Sequence, residues 1–92
     1  MEKNDLKTCL RRELDHWSAK SYEALASELQ DVVAYSVGEE PGCYQVEVVE
    51  LERKPEYIHV SIGVDDGGWR AFVPLSTSFI VRADGSVDKP DG

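Results

Sequence analysis

From Tyr57 onward the chain alternates. Ile58, Val60, Ile62 and Val64 are apolar, and His59, Ser61 and Gly63 lie between them. Beyond Asp65-Asp66-Gly67-Gly68, the residues Trp69, Ala71, Val73 and Leu75 again take every second position. Side chains of a strand point alternately to its two faces, so this period marks strands with one apolar side. Two such runs around an acidic Gly-Gly turn predict a β-hairpin over 57–75. Pro74 has no amide hydrogen to donate, so the second arm is an edge or ends there.

The first third of the chain has a different period. Leu6, Leu10, Leu14 and Trp17 recur at spacings of four, four and three, which places them on one face of a helix. Asn4 or Asp5 can cap its start. Ser18-Ala19-Lys20-Ser21 breaks the stripe, and Ser21 can cap a second helix with Glu23 in its first turn. Leu25, Leu29 and Val32 or Val33 continue the apolar stripe. The spacing predicts helical structure over about 1–33, as two helices with a bend near 18–21 or as one long kinked helix. Val32 to Val37 is rich in β-branched residues and also fits a short strand. Gly38-Glu39-Glu40-Pro41-Gly42 reads as a loop.

Cys43 to Arg53 reads as a strand whose phase changes. Tyr44, Val46 and Val48 share one face, and Val49 and Leu51 the other. Either a bulge re-aims the chain near Val48-Val49 or both faces are covered. Lys54-Pro55-Glu56 turns the chain into the Tyr57 strand. Ser76 to Arg82 supplies another strand, with Phe79 and Val81 on one face and Ile80 on the other. Asp84-Gly85 is a turn, Ser86-Val87 begins a last short strand, and 88–92 is a polar tail. The sum is one α+β domain over 1–92. Its N-terminal helices pack on one face of a three- to four-stranded antiparallel meander spanning about 43–87. Helices can cover only one face of this sheet. Tyr44, Val46, Val48, Phe72 and Phe79 compete for that face with Val49, Leu51, Ile58, Val60 and Ile62. An apolar face left over points to a partner, a ligand cleft or a dimer.

Ninety-two residues leave no room for a second core. The formal charge of −8 argues against nucleic acid, because phosphate binding needs clustered Lys and Arg and the basic residues here are dispersed. No apolar run approaches the length of a membrane span. Met1 to Asp5 leads into no apolar signal region, so a cytoplasmic location is expected. Cys9 and Cys43 lie in different elements and read as two free thiols. With no Cys-x-x-Cys and no Cys/His cluster, neither a zinc site nor any other cofactor is expected.

Asp65-Asp66 is the densest acidic spot, but turn geometry by itself favours Asp and Gly there. An EF-hand would need ligands over about twelve residues and a closing Glu. Tyr57, His59 and Ser61 share one strand face, which is either a proton-transfer site or a partner-facing surface. Trp69 and Arg70, just after the turn, are residue types that anchor interfaces, although Trp69 can also fold onto the core beside Trp17. The binding candidates are therefore Tyr57, His59, Trp69 and Arg70. The sequence holds no nucleophile elbow and no phosphate-binding loop, so no catalytic residue is assigned.

The helix text Trp17-Ser-Ala-Lys-Ser-Tyr-Glu-Ala-Leu25 precedes the sheet text Asp66-Gly-Gly-Trp-Arg, Pro74-Leu-Ser-Thr-Ser-Phe-Ile80 and Asp84-Gly85. In this layout the chain resembles the small cystatin-like and nuclear-transport-factor-like α+β domains. The resemblance implies helices seated in the concavity of a curved antiparallel sheet. Cystatins carry a Gln-x-Val-x-Gly inhibitory loop. Here Tyr44-Gln45-Val46-Glu47-Val48 has the Gln and Val but no following Gly, so no protease inhibition is carried over. Such scaffolds host many functions. Three readings follow. The first is a non-enzymatic protein-binding or homodimerising module that uses an exposed sheet face. The second is a ligand binder or enzyme with a helix–sheet cleft lined by Tyr57, His59 and Arg70. The third is an acidic, immunity-like protein that masks a basic partner.

Overall fold

A computed structural model describes residues 3–38, 44–65 and 75–90. The chain runs α1 (Lys3–Ser18), α2 (Tyr22–Glu28), β1 (Val33–Val37), β2 (Tyr44–Arg53), β3 (Tyr57–Asp65), β4 (Leu75–Arg82) and β5 (Val87–Asp88). The fold is α+β, with both helices on one face of an antiparallel sheet. That sheet has five strands rather than three or four, in the order β1-β2-β3-β4-β5. The additions lie at its edges. The segment that fitted either helix or strand is β1, and β5 is only two residues long.

Local chemistry explains the helix boundaries. The Ser21 hydroxyl accepts from the Ala24 amide at 3.1 Å, the expected cap of α2. At the other end, Arg53 Nη2 donates to the Ala26 carbonyl at 3.0 Å and satisfies a terminal carbonyl of α2. The Tyr22 hydroxyl donates to the Lys54 carbonyl at 2.7 Å, which ties the start of α2 to the β2–β3 turn.

Two expectations about the sheet are corrected. First, the partner of β3 is Leu75–Arg82, not the run that begins at Trp69. Val64 lies opposite Leu75, Ile62 opposite Thr77, Val60 opposite Phe79 and Ile58 opposite Val81. This register joins two long core-facing rows. The residues Asp66 to Pro74 lie outside the described ones. Second, Ile58, Val60 and Ile62 do not compete with Tyr44, Val46, Val48 and Phe79 from the opposite face but share theirs, leaving Val49 on the other. Val46 pairs with Val64 and Val48 with Ile62, so the rows of β2, β3 and β4 face the helices together. Tyr44, Val46, Val48, Ile58, Val60, Ile62, Val64, Phe79 and Val81 form one core with Leu6, Leu14, Trp17, Leu25 and Leu29.

The expected phase change in β2 is a bulge, slightly later than Val48-Val49. Glu50 pairs with Val60 but Glu52 pairs with His59, so Leu51 is the extra residue. Up to Glu50 the even-numbered positions of β2 face the helices. Beyond the bulge the parity switches, and Arg53, opposite Ile58, reaches α2. Leu51 is left 55% exposed. Between β4 and β5, Gly85 has φ +94°, a conformation that side-chain-bearing residues rarely adopt.

Ile62 is fully buried at the centre of the sheet. Ile62→Ala is expected to cost about 2–5 kcal/mol through lost burial and the cavity left behind. Urea denaturation should show a lower midpoint with an unchanged slope.

Candidate functional site

Strand alternation decides where the sequence candidates lie. Ile58 and Val60 face the helices, so Tyr57, His59 and Ser61 face the opposite, helix-free side of the sheet. Tyr57 and His59 therefore face away from the space between the helices and the sheet. Tyr57 and His59 do share their surface. Trp69 and Arg70 lie outside the described residues, as do Cys43 and Asp66. Cys9 is buried in the core.

The helix-free face is mixed in character. Across it, Glu52, His59, Ile80 and Asp88 stand in register, followed by Tyr57 opposite Arg82. Val49, Ser61 and Ser78 form the neighbouring row. The Tyr57 hydroxyl donates to Glu52, whose carboxylate holds the phenol above its ordinary pKa. Arg82 donates to Asp88. The acids that could orient His59 for proton transfer are thus already engaged. Val49 and Ile80 supply the apolar part of the face. Among the described residues, no group of three or more His, Cys, Asp or Glu is placed to hold a metal ion.

Sequence reasoning missed a polar cluster on the other face. Glu13 is only 6% exposed. Its two carboxylate oxygens are divided between two strands. Oε1 accepts from the Tyr35 hydroxyl, and Oε2 accepts from the Tyr44 hydroxyl at 3.0 Å. Trp17 Nε1 donates to the Tyr35 oxygen at 2.8 Å and completes the set. The register explains the convergence. Tyr35 stands opposite Val46, and Tyr44 is two residues from Val46 on the same face, so the two phenols are diagonal neighbours. Burial, and then the hydrogen bond to Glu13, pushes each phenol up to about 12.

A cleft opens between α1 and β1 beside this cluster, lined by Arg12, Glu13, His16, Trp17, Glu28 and Tyr35. The Lys20 ammonium sits 5.2 Å from the Trp17 ring centroid and 3.2 Å from both Glu28 oxygens. A cation is thus already held between an aromatic face and a carboxylate. His16 meets the Trp17 ring edge-on at 5.7 Å. Both carboxylates of the cleft are engaged, Glu13 by the two phenols and Glu28 by Lys20, and Arg12 also lines it. Two fixed phenols and a fully engaged carboxylate offer no nucleophile.

The signal for this cluster was present in the sequence. Tyr35 alternates with Val33 and Val37, and Tyr44 with Val46 and Val48, so two phenols point into the core and need acceptors. Glu13 falls between Cys9 and Trp17 at spacings of four, on the buried face of α1.

Glu13→Ala leaves one buried and one half-buried hydroxyl without their acceptor, and is expected to cost about 2–4 kcal/mol. Tyr44→Phe should cost about 1–3 kcal/mol. The double variant should lose less than the sum, because both changes break one bond. In a spectrophotometric titration Tyr35 and Tyr44 should ionise near pH 12, above the ordinary value of 10. The folded protein holds these protons more tightly than the unfolded chain. Their contribution to stability is therefore complete below about pH 10 and lost as pH rises through about 12. Tyr35→Phe and Tyr44→Phe should each flatten that alkaline decline in denaturation midpoint.

Compared with models of protein families, with curated proteins and with solved structures, the chain matches none.

Proposed function

We propose that the protein is a non-enzymatic binding module that engages another protein through the helix-free face of its sheet. The observation that carries this is that Val49 and Ile80 lie on a face that no helix covers among the described residues, while the bulge in β2 leaves Leu51 55% exposed. Ile80, Tyr57 and His59 extend this surface across β3 and β4. It offers apolar contact ringed by carboxylates, the composition of a partner-facing patch rather than of a reaction centre.

Charge selects among partners. The chain carries a formal charge of −8, and Glu47, Glu52, Asp65 and Asp88 belong to this side of the sheet. Stacking two copies face to face would bring like charges together, whereas a basic partner is attracted and its encounter accelerated. This favours a heterologous basic partner over a homodimer, and unites the protein-binding and charge-masking readings.

Leu51 lies outside the core, so Leu51→Asp should leave the melting temperature within about 2 °C of the parent. The same substitution should abolish capture of the partner from extracts of the source cells, and sedimentation velocity should show the isolated chain as a monomer. Equal capture by parent and variant would remove the face from consideration.

A further inference from the structure

On the helix side of the sheet, a cavity of about 300 Å³ lies between α1 and the start of β4. That is the lower end of the size range of small-molecule sites. Lys7, Leu10, Arg11 and Leu14 form its helix wall and share one stripe of α1. Leu75, Ser76 and Thr77 form the strand wall, and Pro90 borders it from the segment after β5. Lys89 holds that segment against α1, with its ammonium 3.0 Å from Asp15 Oδ1. Parts of the chain distant in sequence thus converge on one space.

The charges around it are of one sign. Lys7 and Arg11 are exposed and stand one turn apart. Among the described residues, no carboxylate lines the cavity. The ion pairs of those residues engage Lys20, Arg53, Arg82 and Lys89, not Lys7 or Arg11. Asp15, one turn beyond Arg11, is the acid taken by Lys89. Like charges at this spacing repel, so an anion beside them is favoured by both. The strand wall carries a hydroxyl where the pattern calls for an apolar group. Leu75, Thr77, Phe79 and Val81 share the core-facing row of β4, with Thr77 opposite Ile62. Among the described residues, no hydrogen bond engages the Thr77 hydroxyl. Leu14 is buried, and Leu10 and Leu75 are half-buried, so the floor is apolar.

We propose that this cavity binds a small monocarboxylate with an aliphatic body. Arg11 takes the carboxylate through paired N–H donors, and Lys7 adds a point charge beside it. Thr77 offers a hydroxyl from the facing wall. Leu10, Leu14, Leu75 and Pro90 cover the aliphatic body. A bare inorganic anion would leave these apolar groups uncovered, and an aliphatic cation would meet two like charges. The formal charge of −8 does not oppose this. Exposed charges are screened beyond about 8 Å at physiological ionic strength, so the two cations at the cavity outweigh distant acids.

The site can be tested with octanoate, octylammonium and acetate, titrated into the full chain at constant ionic strength. Binding is followed by amide chemical shifts and titration calorimetry. Octanoate is expected to bind saturably and to shift the amides of Lys7 to Leu14 and of Leu75 to Thr77. Octylammonium, which keeps the body and reverses the charge, should bind about tenfold more weakly or worse. Acetate, which keeps the charge and lacks the body, should fall by about as much. Lys7→Gln and Arg11→Gln, both at exposed positions, should each weaken octanoate about fivefold with an unchanged circular dichroism spectrum. Thr77→Val, which removes the hydroxyl and keeps the shape, should weaken it by a smaller factor. Leu51→Asp should bind octanoate like the parent, so failure of this site and failure of the helix-free face are told apart. Equal binding of octanoate and octylammonium overturns the proposal, as does equal binding of octanoate and acetate. Parental affinity in both charge variants, shifts confined to Tyr57, His59 and their neighbours on the helix-free face, or no saturable binding of octanoate overturns it too.

Discussion

A carboxylate inside a protein must find donors, and the donors of Glu13 lie on two strands. This fixes the seat of α1. The helix can slide along the sheet at little hydrophobic cost, because Leu, Val and Ile side chains accept many neighbours. It cannot slide while one oxygen takes the Tyr35 hydroxyl and the other the Tyr44 hydroxyl. Trp17 adds a third directional contact one helical turn along. The apolar core therefore gives α1 its adhesion and the polar cluster its address. The breadth of the α1–β1 cleft and the position of Lys20 depend on that address.

The bulge in β2 imposes the second constraint. Without an extra residue at Leu51, Arg53 would point to the helix-free face and the C-terminal carbonyl of α2 would lose its donor. One inserted residue thus serves both sides of the sheet. It turns Arg53 toward the helices and pushes Leu51 out. A feature needed to finish a helix also creates an exposed apolar side chain, which evolution can use or must guard.

Much of the architecture was legible. The stripe of Leu6, Leu14 and Trp17, the Ser21 cap and the alternation of Tyr57 to Val64 each rest on local geometry, and each appears where the spacing places it. What local geometry does not contain is pairing. The Asp65 to Gly68 turn signal directed attention to Trp69, but the register that buries most is the one joining β3 to Leu75–Arg82. Likewise the phase change at Val49 and Leu51 comes from a bulge, and the alternation could not show that Ile58, Val60 and Ile62 share the face of Val46 and Val48. The binding candidates fared unevenly. Tyr57 and His59 share a surface as their spacing implies, yet the side of the sheet that surface occupies is set by the helices. Glu13 escaped notice because a charged residue on a helix is ordinarily solvated. Only the two inward tyrosines, far away in sequence, make its burial possible.

The order of the strands bears on how the chain is made. Each strand pairs with its neighbour in sequence, so the sheet assembles through short closures and can grow as synthesis proceeds. Helix α1 is the exception. It is synthesised before the sheet, yet it packs against β3 and β4, and its Asp15 meets Lys89, 74 residues later. At about 5–20 residues per second, Leu6, Leu14 and Trp17 wait several seconds for their partners. During that interval the nascent chain offers an amphipathic helix with no sheet to cover it. A chaperone that recognises such helices would meet this protein at α1 and release it once β4 is complete.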